Sequence, residues 1–174
     1  MSEQKKIKIN FKPEWFQSGY FVYIITIIHK DRGLFYYIGQ TGDRKHISAR
    51  SPFYRLIAHL RPYKSTDNQL ANGLITHHLV IPTKEKSLRV CIEEAFTENT
   101  IEVYADYFKI NDFDSKQHRI KTKFVESIEQ SIIINMNNKG KRLFNNPKKY
   151  SLNKIEISPE AKKIAVQIIK SIRR

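Results

Sequence analysis

Several residues of this chain have the types and spacings that chemistry on a charged, oxygen-rich group requires. Tyr23 and Tyr37 lie in the apolar segments Val22-Tyr23-Ile24 and Tyr37-Ile38-Gly39-Gln40-Thr41. Further on, Arg55-Leu-Ile-Ala-His59 sets an arginine and a histidine at i, i+4, which on a helix puts both on one face. The arginine is a permanently charged, forked donor suited to phosphate. The histidine titrates near neutrality and can take a proton. Tyrosine, ordinarily near 10, is a poor base unless neighbouring positive charge favours the phenolate. Glu129-Gln-Ser-Ile132-Ile133 offers a carboxylate for a hard divalent cation, and Leu143-Phe144-Asn145-Asn146-Pro147 offers an amide. Each also has a plainer reading. Strands are rich in tyrosine, an Arg/His pair is commonly a solvated basic face, a helical glutamate commonly faces water, and Asn-Asn-Pro commonly makes a turn.

The elements that would carry these residues follow from periodicity. Residues 20–28, Tyr-Phe-Val-Tyr-Ile-Ile-Thr-Ile-Ile, read as a buried strand. A turn over 29–33 leads to a second strand at 34–39, so the two should form an antiparallel hairpin. Phe53, Leu56, Ile57 and Leu60 have helical spacing over 52–60 and predict a core-facing stripe, with Arg55 and His59 turned away from it. Residues 67–81 can form a helix that stops before Pro82. Leu88, Cys91, Ile92, Ala95 and Phe96 mark an amphipathic helix, and 100–108 alternates as a third strand. A long helix follows at 123–136. Its stripe runs through Phe124, Val125, Ile128, Ile132 and Met136, which places Glu129 at the stripe's edge and Glu126 toward solvent. Ser158-Pro159-Glu160 starts a last helix with stripe Ala161, Ile164, Ala165, Ile168, Ile169 and Ile172. The expected fold is α/β (α+β): one domain over 1–174, with a small three-stranded, mainly antiparallel sheet flanked by helices.

The charge is large and uneven. There are 31 Lys+Arg against 17 Asp+Glu, a net +14. Residues 44–64 contain six basic residues and no acid, whereas seven of the acids fall between Glu93 and Asp114. From Lys139 to Arg174 there are eleven basic residues and two acids. Such polarity suits a partner with a phosphate backbone. Cys91 is the only cysteine, which excludes an internal disulfide and a cysteine metal cluster. No run approaches the ~20 apolar residues of a membrane span, and the first residues lack a signal-peptide core. The expectation is a cytoplasmic protein without a membrane partner.

The two tyrosine segments, the Arg55–His59 helix, Glu129 with its aliphatic pair, and Asn145 after Leu143-Phe144 occur in the order of the GIY-YIG nuclease superfamily, which the chain resembles over 19–147. Phe21 stands where the family usually has glycine, and an insertion separates Glu129 from Asn145 at 137–142. The proportions are most similar to stand-alone restriction endonucleases of that family, with 61–87 as an added helical segment and 148–174 as a basic C-terminal helical extension. The resemblance implies a metal-dependent endonuclease that hydrolyses phosphodiesters of double-stranded DNA. Structure-selective repair or mobile-element cleavage is the alternative, and a silent nucleic-acid-binding module another. It implies one Mg²⁺ (or Mn²⁺) per site on Glu129, Arg55 on the phosphate, and Tyr23 as base or water-orienting group with Tyr37 beside it. His59 is the competing base, and Asn145 would orient a tyrosine or the phosphate. A symmetric DNA site calls for a homodimer. Arg44, Lys45 and Arg50 would meet phosphates. Asn68, Gln69 and Asn72 would read base edges, and Lys148 and Lys149 in the lysine-rich tail would supply non-specific affinity.

Overall fold

The structure, a computed structural model, describes residues 10–60, 69–98, 101–145 and 156–172. Its centre is the strand β1 (Gly19–His29), whose β-branched and aromatic residues suit a pleated surface covered on both sides. β2 (Gly33–Gln40) and β3 (Ile101–Asp112) flank it, both antiparallel, in the order β2-β1-β3. Gly33 closes the hairpin at φ +77°, a conformation that disfavours other residues. The mixed α/β architecture and the antiparallel hairpin are as the sequence predicts. β3 runs past the expected 108 to Asp112, pairing with the start of β1 around an irregularity at Tyr20/Phe21.

Alternation along β1 divides the core in two. Tyr20, Val22 and Ile24, with Tyr36 and Ile38 of β2, pack on one face against α4 (His118–Asn138) and α5 (Pro159–Ser171). Tyr23, Ile25 and Ile27, with Phe35 and Tyr37, pack on the other against α2 (Gln69–Thr76) and α3 (Leu88–Glu98). The same face meets α1 (Pro52–Leu60) through Leu56 and Leu60. The result is helices on both faces of one small sheet.

Two segments expected as additions supply core. α2 is shorter than the 67–81 window, yet Leu70, Leu74, Leu79 and Val80 are buried, and Gly73 lies so close to Phe144 that a Cβ there would sit 2.4 Å from the ring. α5 begins as expected, with the Ser158 hydroxyl accepting from the Ala161 N–H at 3.1 Å. Its Ala161, Ala165 and Ile168 are buried in the cluster shared with α4. The edge of β2 is covered by 142–145: the Tyr36 N–H donates to the Arg142 carbonyl and the Phe144 N–H to the Tyr36 carbonyl. Among the described residues no helix is long and apolar enough to cross a membrane.

Candidate active site

Tyr23 is paired in register with Gly39 on β2 and with Tyr107 on β3. A Cβ built on Gly39 would lie 2.3 Å from the Tyr23 hydroxyl oxygen, so the phenol occupies the space a side chain would fill. Tyr107 stacks on the other flank, with ring centroids 5.0 Å apart and planes inclined by 29°. Held between them, the Tyr23 hydroxyl lies over β2. Tyr37, diagonal to Tyr23 on the same face, brings its ring to 6.2 Å and its hydroxyl into hydrogen bonding with Tyr23.

α1 meets these hydroxyls with its polar face, which corrects the expected orientation. His59 is 5% exposed while Ile57 is 44% exposed, the reverse of a helix that buries Ile57 and solvates Arg55 and His59. The tyrosine hydroxyls supply the cause, because they give a buried arginine and histidine the partners an apolar core would deny them. His59 Nε2 is 2.6 Å from the Tyr23 oxygen, and Arg55 Nη2 donates to that oxygen at 3.2 Å. With Arg55 and Tyr37 donating to it, the Tyr23 oxygen keeps its own proton for His59, whose Nε2 is then the acceptor.

Burial dominates the titration of this group. It raises Tyr23 to about 12, outweighing the Arg55 charge that pulls the other way. Arg55 alone therefore does not favour the phenolate as expected. His59 is pushed down to about 3 by burial and then by Arg55. Burial also works against the Arg55 charge, but Tyr23, Tyr37 and Glu129 outweigh it and hold the guanidinium above its ordinary range.

Glu129 comes from α4, and its charge is felt by both Tyr23 and Arg55. It is 8% exposed. Burial raises it to about 8, against the pull of Arg44 and Arg55. No described side chain donates a hydrogen bond to its carboxyl. Glu126 does not face solvent as expected: it is 7% exposed, because the β2–α1 loop brings Arg44 across α4 to pair with it at 2.5 Å. Of the two acids, Glu129 is the one whose charge Tyr23 and Arg55 feel. Among the described residues no group of three or more His, Cys, Asp and Glu gathers, so an all-protein metal cage is not formed. A single open, buried carboxyl fits instead an ion that keeps most of its shell in water and substrate oxygens.

Asn145 makes paired 2.8 Å bonds to the Ile38 backbone, accepting from its N–H and donating to its carbonyl. It thus pins β2 between Tyr37 and Gly39, its side-chain hydrogen bonds going to the strand backbone and not to the tyrosine hydroxyls. Arg44, Lys45 and Arg50 are exposed on the β2–α1 loop, Gln69 is half-buried at the start of α2, and Asn72 is exposed on it. Asn68, Lys148 and Lys149 lie outside the described residues. Tyr107 was not among the residues singled out by sequence; only its register opposite Tyr23, two strands from Gly39, would have drawn attention to it.

No family model, curated protein or solved structure matches this chain.

Proposed function

We propose that the cluster is the centre of a GIY-YIG-type endonuclease that hydrolyses phosphodiester bonds of double-stranded DNA, in the manner of a sequence-specific restriction enzyme. One observation carries the reading: Tyr23, Tyr37, Arg55 and His59, from three elements, converge in one hydrogen-bonded buried group with strongly shifted titration, and Glu129 of α4 is near enough for its charge to be felt there. Gathering a guanidinium, an imidazole and a carboxyl in a core is costly, and a functional demand is the usual reason for it. The basic 44–64 stretch and the net charge supply the attraction for a polyanion.

In hydrolysis a water adds to phosphorus, one P–O ester bond breaks, and a phosphomonoester and an alcohol leave. Arg55 binds the scissile phosphate. The phosphate's negative charge offsets the guanidinium, which after burial is the second cause holding His59 down. Once Arg55 Nη2 turns from the Tyr23 oxygen to the phosphate, that oxygen has a lone pair free for the water, and His59 takes the Tyr23 proton along the 2.6 Å bond as the water's proton arrives, so no free phenolate is required. Glu129 would hold one Mg²⁺ or Mn²⁺, which when bound supplies electrophilic help to the departing oxyanion. Two such sites in a homodimer would cut both strands of a symmetric sequence.

The test is plasmid cleavage by the full chain with and without Mg²⁺ or Mn²⁺, followed by end-sequencing. Metal-dependent cuts at defined sequences, lost in Glu129→Gln, support the reading. DNA binding without cleavage under any metal leaves a nucleic-acid-binding module.

A further inference from the structure

Two hydrogen-bond donors in this cluster have no acceptor. The Tyr107 hydroxyl and Arg55 Nε are both buried, and neither has a partner. A buried donor left unmet destabilises the fold, so such a pair calls for an explanation. Tyr23 cannot supply it, because its oxygen already receives Arg55 Nη2 and Tyr37 and gives its proton to His59. We propose that the Tyr107 hydroxyl and Arg55 Nε form a slot for one oxygen of a phosphate, which makes Tyr107 a substrate-binding residue.

The surroundings suit that role. The ring packs against Tyr23 at 5.0 Å and Trp15 at 6.1 Å, so the hydroxyl is held without the help of a hydrogen bond. A cavity of about 180 Å³, lined by Glu14, Trp15, Phe21, Pro52, Ala105 and Tyr107 but not by Arg55, lies beside the ring. Burial, and then the neighbouring Tyr23, hold Tyr107 above its ordinary range despite Arg55, so it stays a donor at any physiological pH. A neutral phenol beside a fixed cation favours an anionic acceptor. Placing a phosphodiester there rests on the nuclease reading, but an oxyanion slot does not.

The probe is inorganic phosphate, titrated calorimetrically into the full chain. Wild type should bind it saturably, and Tyr107→Phe should bind about tenfold more weakly, the loss typical of a hydrogen bond to a charged group. Thermal stability of Tyr107→Phe should be no lower than wild type, since the ring stacking remains and an unmet hydroxyl goes. Equal phosphate affinity, no saturable binding by wild type, or a marked fall in Tm would each overturn the slot. A plasmid assay separates the two readings. If phosphate binding behaves as expected but wild type cuts no DNA with Mg²⁺ or Mn²⁺, the slot stands and the nuclease reading falls. If wild type cuts and Tyr107→Phe cuts with unchanged kcat and KM, the slot falls and the nuclease reading stands.

Discussion

Replacing Glu129 by Gln removes the charge and keeps the shape, so it separates what the carboxyl does for chemistry from what it costs the fold. Burial moves the carboxyl from 4.5 to about 8. Because the folded value lies above the unfolded one, the folded protein keeps a proton that the unfolded chain has already lost. Stability from this group is full below about pH 4.5, declines as pH rises, and is gone above about 8. At about 1.4 kcal/mol per pH unit, roughly 3 kcal/mol has been lost by pH 7 in the absence of metal. Glu129→Gln escapes that loss. Its Tm without metal should match wild type near pH 4.5 and exceed it at pH 7, by roughly 5–10 °C for a chain of this size. Millimolar Mg²⁺ or Mn²⁺ should raise the Tm of wild type and not of the variant. Cleavage should be abolished while DNA binding survives. Glu126→Gln is the control: it should retain cleavage and lose at most about 1 kcal/mol, since its partner Arg44 is largely exposed. Parallel Tm–pH curves for wild type and Glu129→Gln would refute the assignment of a raised carboxyl, and a reversal of the two cleavage results would shift the metal helix by one turn.

Arg55→Ala should lose most cleavage, and Arg55→Lys should not restore it, because lysine lacks the Nε and the fork; full activity in the lysine variant would show that charge alone suffices. Gly39→Ala should displace the Tyr23 phenol from its 2.3 Å neighbourhood, lowering kcat far more than DNA affinity, and an unaltered kcat would show the ring free to move. Alanine at Asn68, Gln69 and Asn72 should relax site preference more than it weakens binding to random DNA, as read by end-sequencing of products. Neutralising Lys148, Lys149, Lys162 and Lys163 should instead flatten the slope of log affinity against log salt.

The hairpin and the packed helices were legible because their signal is apolar periodicity. β1 is nearly unbroken Val, Ile, Tyr and Phe, and the Ala161–Ala165–Ile168 stripe is buried where its spacing placed it. The same signal misled on α1. A hydrophobic pattern assigns polar residues to water, so it cannot register that tyrosine hydroxyls inside would draw Arg55 and His59 in and leave Ile57 out. Glu126 escaped for a related reason: its cover, Arg44, comes from a loop 82 residues earlier in the chain. Asn145 was picked out as an amide to orient a tyrosine or the phosphate; that its bonds go to the Ile38 backbone depends on how 142–145 runs along β2. Tyr107 was invisible because a partly buried tyrosine on an edge strand is ordinary until its register partner is known.

The charge states of the cluster also suggest why it is built from groups that are individually ill-tuned. In the free protein near neutrality Glu129 holds its proton, His59 is neutral and Tyr23 is a neutral phenol, so Arg55 is the fixed charge. A lone buried cation with an unmet Nε is an attractive place for an anion and a poor place for a metal ion. Each ligand of the proposed reaction then corrects the site for the other. A phosphate would offset Arg55, and Glu129 would give up its proton to hold a divalent cation whose charge would offset the cost of ionising it. On this proposal the relay through His59 would wait for the phosphate and the open carboxylate for the metal, so the burial that detunes each residue would leave the site complete only when both are bound.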